Sequence, residues 1–550
     1  RAATRRGRSR SPRARKPGGP VARDMAAASD AAAEAVLAAR ALSSAVNSAE
    51  LLQSHREATG GVVHTRFPPE PNGYLHVGHA KSLHMNFKLA FDKLGVAPDK
   101  RATILRYDDT NPEKESLEFI ENIAEDVRWM GWSPVRVTHT SDYFDVLYEL
   151  ALKLIREGKA YVCHQTKDEI EASRAICKAR LEKPESELAQ GNPNSPFRDR
   201  PVEENLREFE NMRKGKYDVG AATLRLKMDM TSANYNMWDQ VAYRIKYVGH
   251  PHVGDKWCVY PTYDYTHCII DSLEHIDYSI CTLEFETRRE SYYWVLEALG
   301  IYRPSVYEFS RLNLSYTVLS KRKLLKLVNC SYVSGWDDPR MPTIRGMRRR
   351  GYTREALCAF CEDVGVTRND NVIQYERLQH AVRGDLHERA PRVMGVLDPL
   401  RVEVANLNEP RALNAPDFPF DPERGAHALP LTAVIFVDRS DFRDEDDPDF
   451  FGMAPGKLFN LKYAGTMRVD DVVRGADGTV ELVRVSTVEA TDTKVRGGIT
   501  WVPEGSMPCE VRLYEHLFTV EAPTSEWESQ LNPTSLVVKP NALVDPSFAK

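Results

Sequence analysis

Two short apolar runs, each cut off by a turn-rich loop and each followed by a helical pattern, restrict this chain more than any other feature. Val62-Val63-His64-Thr65-Arg66-Phe67 reads as a buried strand stopped by Pro68-Pro69-Glu70-Pro71-Asn72-Gly73. A helix is expected next, with Leu83, Phe87, Phe91 and Leu94 on one face. Ala102–Tyr107 reads as a second strand, stopped by Asp108-Asp109-Thr110-Asn111-Pro112, and Asn111 before Pro112 predicts a capped helix start. Leu117, Ile120, Ala124, Val127 and Met130 give that helix its apolar stripe, and Gly131 ends it. Strand, helix, strand, helix at this spacing implies an α/β fold built on a doubly wound parallel sheet. Such sheets hold ligands beyond the carboxyl ends of their strands, where both loops lie.

The rest of the chain divides by texture. Residues 1–60 read as an extension outside the core, expected to be disordered. Its start, RAATRRGRSRSPRARKPGG, is acid-poor and runs into Ala-rich sequence. That composition fits an organelle transit peptide, a basic arm, or an over-extended reading frame with Met25 as the start. Residues 61–143 and 256–315 read as two halves of the parallel-sheet domain, with Trp257–Tyr260 resuming the strand pattern. Residues 144–255 read as an insertion. Helices are expected over 316–395. Residues 396–550 are strand-rich, with Ala433–Val437, Thr466–Val473, Thr479–Val485, Ile499–Val502 and Val511–Tyr514 as strands and Asp477-Gly478 as a hairpin turn. This tail suits a β-barrel or a sandwich.

Composition excludes several classes. No stretch approaches the roughly 18 consecutive apolar residues of a helical membrane span. Nine scattered cysteines do not form a disulfide scaffold, which points to a reducing, cytoplasmic setting. Cys358-x-x-Cys361 sits in an apolar helical pattern with no second Cys/His pair at zinc spacing, so no metal ligands are assigned. Net charge is −5, but residues 1–24 hold nine bases against one acid, leaving 65 bases against 78 acids in the body. Any nucleic-acid surface must therefore be local.

Two motifs carry chemistry. Gly73-Tyr74-Leu75-His76-Val77-Gly78-His79 lies between a strand and a helix, so both imidazoles can face one ligand at a helix N-terminus that favours anions. Alone, it is equally a pair of histidines in a tight turn. Leu319-Ser320-Lys321-Arg322-Lys323 is either a solvated face or a clamp for departing phosphates. In this order around a parallel sheet, the pair suits nucleotidyl transfer, in which positioning and electrostatics supply most of the rate.

With these motifs the chain resembles the class I aminoacyl-tRNA synthetases of the glutamyl/glutaminyl subfamily. HVGH stands at the family's HIGH signature and LSKRK at its KMSKS signature. VVHTRFPPEPNGYLHVGHAKS, RYDDTNPEKE, WCVYPTYDYTHCIIDSLE, SICTLEFETRR, EFSRLNLSYTVLSKRKL, GWDDPRMPTIRGMRRRGYT and VRLYEHLFTV all read as family segments. The resemblance implies a Rossmann-type catalytic domain, an inserted acceptor-stem subdomain, a helical subdomain and a C-terminal β-barrel anticodon-binding region. It also implies further barrel strands beyond Lys550.

The implied reaction consumes ATP with Mg²⁺, activates glutamine and transfers it to the 2′-hydroxyl of the terminal adenosine of tRNA(Gln). His76, His79 and Lys321 would be catalytic. Pro69, Glu70, Asn72, Gly73, Gly78, Arg311, Leu312, Ser320 and Arg322 complete the implied ATP site. Arg66, Asp108, Tyr263, His267 and Cys281 match the amino-acid pocket, with Asp108 holding the α-ammonium. Cys281 stands where glutamyl relatives carry an arginine, which favours a neutral side chain. Val306 replaces a frequent family glutamine, Thr287 replaces an acidic residue of bacterial relatives, and Leu319 replaces the signature methionine. Arg340, Arg345, Arg348, Arg349 and Arg350 would contact tRNA phosphates. Glutamate as substrate, a non-discriminating enzyme, a simpler nucleotidyltransferase and a tRNA-binding protein without catalysis are the competing readings. Association with other synthetases is a further expectation.

Overall fold

The structure, a computed structural model, describes residues 45–489 and 495–549. The transit-peptide, basic-arm and reading-frame expectations concern residues outside the described ones. The chain forms two compact units. One holds the residues up to Gly73 with Ser82–Arg311 and Val366–Asp370; the other holds Tyr74–Lys81, Leu312–Gly365 and the chain from Asn371 onward.

In the first unit, helix α1 (Ala49–Thr59) is capped by the Ser48 side chain and ends at a left-handed Gly60. Its His55 is buried and bonds the Asp277 carboxylate at 2.9 Å, so residues 49–59 belong to the folded unit rather than to a disordered extension. Strands β1 (Val63–Phe67), β2 (Arg101–Tyr107) and β3 (Arg136–His139) pair in parallel. Between them in sequence lie helix α2 (Val77–His84), whose residues up to Lys81 belong to the second unit, and helix α3 (Leu117–Trp129). After β3 come helix α4 (Phe144–Arg156) and an antiparallel sheet of β4 (Ala160–Cys163), β5 (Thr223–Leu226), β6 (Val241–Ile245) and β7 (Val259–Pro261). Helix α5 (Tyr263–Leu273) leads to β8 (Tyr278–Thr282), and helix α6 (Arg289–Leu299) to β9 (Ser305–Phe309), which pairs parallel to β8. The Asp277 N–H donates to the His64 carbonyl at 3.0 Å, and Arg66 Nη1 donates to the Ile280 carbonyl at 2.7 Å. These bonds seat β8 beside β1 and give the order β3-β2-β1-β8-β9 of a doubly wound sheet.

Three local expectations change. The run Trp257–Tyr260 feeds β7, which pairs antiparallel with β6, so the parallel sheet resumes only at Tyr278. Asn111-Pro112 does not start α3: Ser116 caps it by accepting from the Phe119 N–H, while the Glu115 carboxylate takes the Asn111 N–H. The stripe of α2 is interrupted by a π turn over Met85–Leu89. The Asn86 carbonyl there accepts the hydroxyls of Thr65 and Thr103, from β1 and β2, at 2.8 and 2.9 Å. The inserted residue shifts the helical phase, and Leu94 is 44% exposed instead of facing the core.

In the second unit, helices α7 (Lys321–Asn329), α8 (Ile344–Arg349), α9 (Arg354–Val364) and α10 (Tyr375–Arg389) fulfil the helical expectation. Cys361 is buried within α9, as a core residue should be. Six strands form the main tail sheet: β10 (Pro399–Val404), β11 (Val434–Asp438), β12 (Leu458–Leu461), β13 (Gly465–Arg474), β14 (Val480–Thr487) and β15 (Trp501–Pro503), in the order β12-β13-β14-β10-β11-β15. Gly478 takes positive φ in the Asp477-Gly478 turn between β13 and β14. The outer strands meet where Ile499 exchanges backbone bonds with Asn460 and Lys462, and Trp501 Nε1 donates to the Lys462 carbonyl. The sheet therefore curls toward a barrel around Trp501, Phe459, Met467 and Ile435, all fully buried. Met507–Tyr514 (β16) and Leu536–Val544 (β17) form a further antiparallel pair.

Gly346 opens α8 against backbone. A Cβ there would stand 2.5 Å from the Asp338 carbonyl and 2.8 Å from that of Met341. Neither atom can escape by changing rotamer, so Gly346→Ala should destabilise the protein by about 1–3 kcal/mol, read from denaturant unfolding. An unchanged midpoint would contradict this packing.

Candidate active site

The pocket at the carboxyl ends of β1 and β2 is organised by one carboxylate. Asp271 of α5 is fully buried between the guanidinium groups of Arg66 and Arg106, also fully buried. Ser279 and Tyr292 hydroxyls donate to its second oxygen at 2.7 and 3.0 Å. Despite burial, the two guanidiniums hold the Asp271 carboxyl far below the usual carboxylate range. Glu274, also buried, accepts from Arg106 at 2.9 Å, Thr138 at 2.6 Å and Tyr143 at 3.0 Å. One helix end thus fixes side chains from β1, β2 and β3.

Asp108 stands at the end of β2, 3.5 Å from Arg106 Nε, and accepts from the Thr140 hydroxyl at 3.2 Å. Its backbone N–H donates to the Pro69 carbonyl, and the Ser116 N–H donates to that of Pro71, so the loops after β1 and β2 are laced together. Burial pushes the Asp108 carboxyl up to about 7 and that of Glu115 up to about 8, and raises Asp109 well above its ordinary value. An arriving cation would recover the charged form of Asp108.

Tyr263, His267, Cys281, Phe285, Arg288 and Val306 line one cleft. The Tyr263 and His267 rings stack at 4.9 Å. His267 Nε2 lies 3.1 Å from Arg66 Nη2, which can only donate, so Nε2 is the acceptor and the ring proton sits on Nδ1. That Nδ1 is buried with no partner among the described residues. Burial, with Arg66 and Arg106 adding to it, lowers the His267 pKa to about 3 and keeps the ring neutral. Arg288 pairs with Asp264, so this cation is already matched. The cleft offers a neutral donor beside a phenol and a thiol, a lining suited to an uncharged polar side chain.

The paired imidazoles lie in the second unit. Val77 N–H donates to the Pro342 carbonyl and Ile344 N–H to that of Leu75, each at 2.9 Å, binding the motif to the start of α8. His76 Nδ1 accepts from the Gly78 N–H and His79 Nδ1 from the His76 N–H, both at 3.1 Å. Each neutral ring therefore carries its proton on Nε2, and the rings lie 3.9 Å apart. Gly78 has a reason beyond ligand approach: its Cβ would fall 2.9 Å from the His76 ring.

Ser320 precedes α7, so Lys321, Arg322 and Lys323 form its first turn, which contains no acid. Cations at that end oppose the helix dipole, by roughly 0.3–1 kcal/mol each at an exposed site. An anion would relieve the conflict. Leu324 and Leu327 of α7 pack in one core with Met341, two residues from the Thr343 that bridges His76. The motif segments thus share one unit.

Other expected residues are placed as follows. Glu70 accepts from the Asn72 amide, and Arg311 pairs with Glu284. Leu312 is buried, its carbonyl facing Gly78. The Thr287 carbonyl accepts from the Asn234 and Asn236 amides. Of the expected tRNA-binding arginines, Arg340 is held by Asp338 and Ser535, and Arg350 donates to the Tyr514 carbonyl. Arg345 lies over the Tyr74 ring, while Arg348 and Arg349 are exposed, Arg349 paired with Asp337. Asp271, Glu274 and Arg106 were missed from the sequence; the signal for the first two is a pair of acids inside the apolar run CIIDSLE.

Residues 62–388 match the family described as "tRNA synthetases class I (E and Q), catalytic domain", and residues 390–488 and 498–550 match its two anti-codon binding domains. The chain belongs to the class I tRNA synthetases of the E and Q group. It is 48% identical over 506 residues to a probable glutamine–tRNA ligase of Dictyostelium discoideum, and 47% identical over 507 residues to a cytoplasmic glutamine–tRNA ligase of Arabidopsis thaliana. These alignments cover 91% and 90% of the chain but span only 62% and 61% of those relatives' lengths. A glutamine–tRNA ligase of Haemophilus influenzae is 47% identical over 88% of the chain and 86% of its own length.

Asp271→Asn keeps the shape of the side chain and removes its charge. Arg66 loses its carboxylate partner, and the protein should lose about 3–5 kcal/mol of unfolding free energy. Ser279→Ala, which deletes one neutral donor, should lose only about 1 kcal/mol. Equal losses in equilibrium unfolding would refute the central role of the charge.

Proposed function

We propose that the chain is a glutamine–tRNA ligase. A carboxylate oxygen of glutamine attacks the α-phosphorus of ATP, and the bond to pyrophosphate breaks. The 2′-hydroxyl of the terminal adenosine of tRNA(Gln) then attacks the activated carbonyl and releases AMP. The observation that carries this reading is the pair of imidazoles with both Nε2–H groups set as donors, in the same unit as a helix that opens on three cations. His76 and His79 stabilise charge on the α-phosphate; Lys321, with Arg322 and Lys323, holds the departing phosphates. Mg²⁺ would arrive on the phosphates with its own waters.

Asp108 binds the α-ammonium. His267 Nδ1–H donates to the side-chain carbonyl oxygen of glutamine, beside Tyr263, and neither Cys281 nor Val306 offers a cation to a γ-carboxylate. Apolar Val306 removes one polar contact, and that observation favours a non-discriminating enzyme as the second reading. Arg345, Arg348 and Arg349 support tRNA phosphates. The Arabidopsis relative's name supports a cytoplasmic setting, and no helix among the described residues is long and apolar enough to cross a membrane.

Charging of one tRNA with glutamine and with glutamate is the direct test: glutamine should be strongly preferred, and a preference for glutamate would overturn the assignment. His79→Ala should slow adenylate formation by about 100-fold or more in pre-steady-state assays while tRNA affinity stays nearly intact. Asp108 adds a pH signature. Its raised pKa means the folded protein keeps a proton that the unfolded chain releases, so between about 4 and 7 this group lowers stability as pH rises. Ammonium binding needs the carboxylate, so glutamine affinity should fall about tenfold per pH unit below 7. Calorimetry should find proton release on binding at pH 6 that Asp108→Asn abolishes.

A further inference from the structure

Outside the pocket, one cluster on the first unit has the chemistry of a metal site. His139 ends β3, Asp142 follows in the next turn, and His252 comes from the turn between β6 and β7. One ligand atom from each lies within 4.8 Å of the other two. Asp142 is held in place: one oxygen accepts the His139 N–H at 2.7 Å, and the other lies 2.9 Å from His252 Nε2. His139 Nδ1 is 3.8 Å from the same carboxylate. His139 also packs on the Tyr107 ring, and the His252 backbone N–H donates to His250 Nδ1. The side chains of His252 and Asp142 are 37% and 42% exposed, so the cluster is open to an entering ion.

We propose that His139, Asp142 and His252 bind a zinc-type divalent transition ion. Two imidazoles and one carboxylate suit zinc and exclude magnesium, which takes oxygen donors. Bond lengths of about 2.0–2.2 Å draw the three groups together, and solvent supplies the open position. A metal lies near the plane of each ring that binds it, whereas the two rings are now stacked at 3.9 Å and 11°. The more exposed His252 therefore turns out of the stack on loading. The ion would join two segments more than a hundred residues apart. One of them carries Thr140 and Ser141, whose side chains bond Asp108 and Asp109, so the ion would stiffen the support of the ammonium-binding carboxylate.

The test is a zinc titration of chelator-treated protein against a chromophoric indicator, in excess Mg²⁺. One ion should bind per chain, raise the unfolding temperature and give a cobalt spectrum of low coordination number. His252→Ala and His139→Ala should each weaken zinc binding by about 100-fold or more, and His252→Cys, which restores a zinc donor, should recover it. His252 is exposed, so its variants report even if His139→Ala fails to fold. No zinc binding in the unsubstituted protein, or equal binding in His252→Ala, would overturn the proposal.

Discussion

The shared carboxylate of Asp271 is the interaction on which the first unit depends. Two arginines leave the ends of adjacent strands, and neither could be buried without a counter-charge. With Asp271 between them and Glu274 one turn on, three strands and one helix meet in a single charged layer. Arg66 is thereby pinned where it dictates the His267 tautomer, and Arg106 where it faces Asp108. The electrostatics of the cleft follow from that arrangement rather than from any one lining residue.

The same economy governs the imidazole motif. Gly78 leaves room for the His76 ring that its own N–H then orients, and the His76 N–H orients the His79 ring. Two side chains and two backbone N–H groups in four residues determine both tautomers. The π turn over Met85–Leu89 presents its Asn86 carbonyl to two strand hydroxyls.

Much of this was legible in the sequence, for identifiable reasons. The strands at Val63–Phe67 and Arg101–Tyr107 announce themselves by apolar runs against proline and aspartate stops, and the tail strands by alternation and the Asp-Gly turn. The motifs are legible because their residues are consecutive. What escaped depends on which partner each group finds once the chain is folded. Asn111-Pro112 yields to Ser116 because Glu115 reaches back to occupy the Asn111 N–H. Trp257–Tyr260 is apolar enough for either sheet, and only its pairing with β6 decides. Arg340 bonds the Ser535 hydroxyl and Arg350 the Tyr514 carbonyl, contacts that no local pattern marks. The His139, Asp142 and His252 cluster has no spacing to read, since it forms only when two turns meet.

The charge at the start of α7 has a wider consequence. Three positive side chains in the first turn oppose the dipole of their own helix. Under the proposed function the relief would grow with the anion's charge, so a nucleotide with three phosphates would be held more firmly than one with two or one. The grip would slacken as the phosphates depart, so sorting nucleotides and letting go of the spent one would be two faces of one local repulsion.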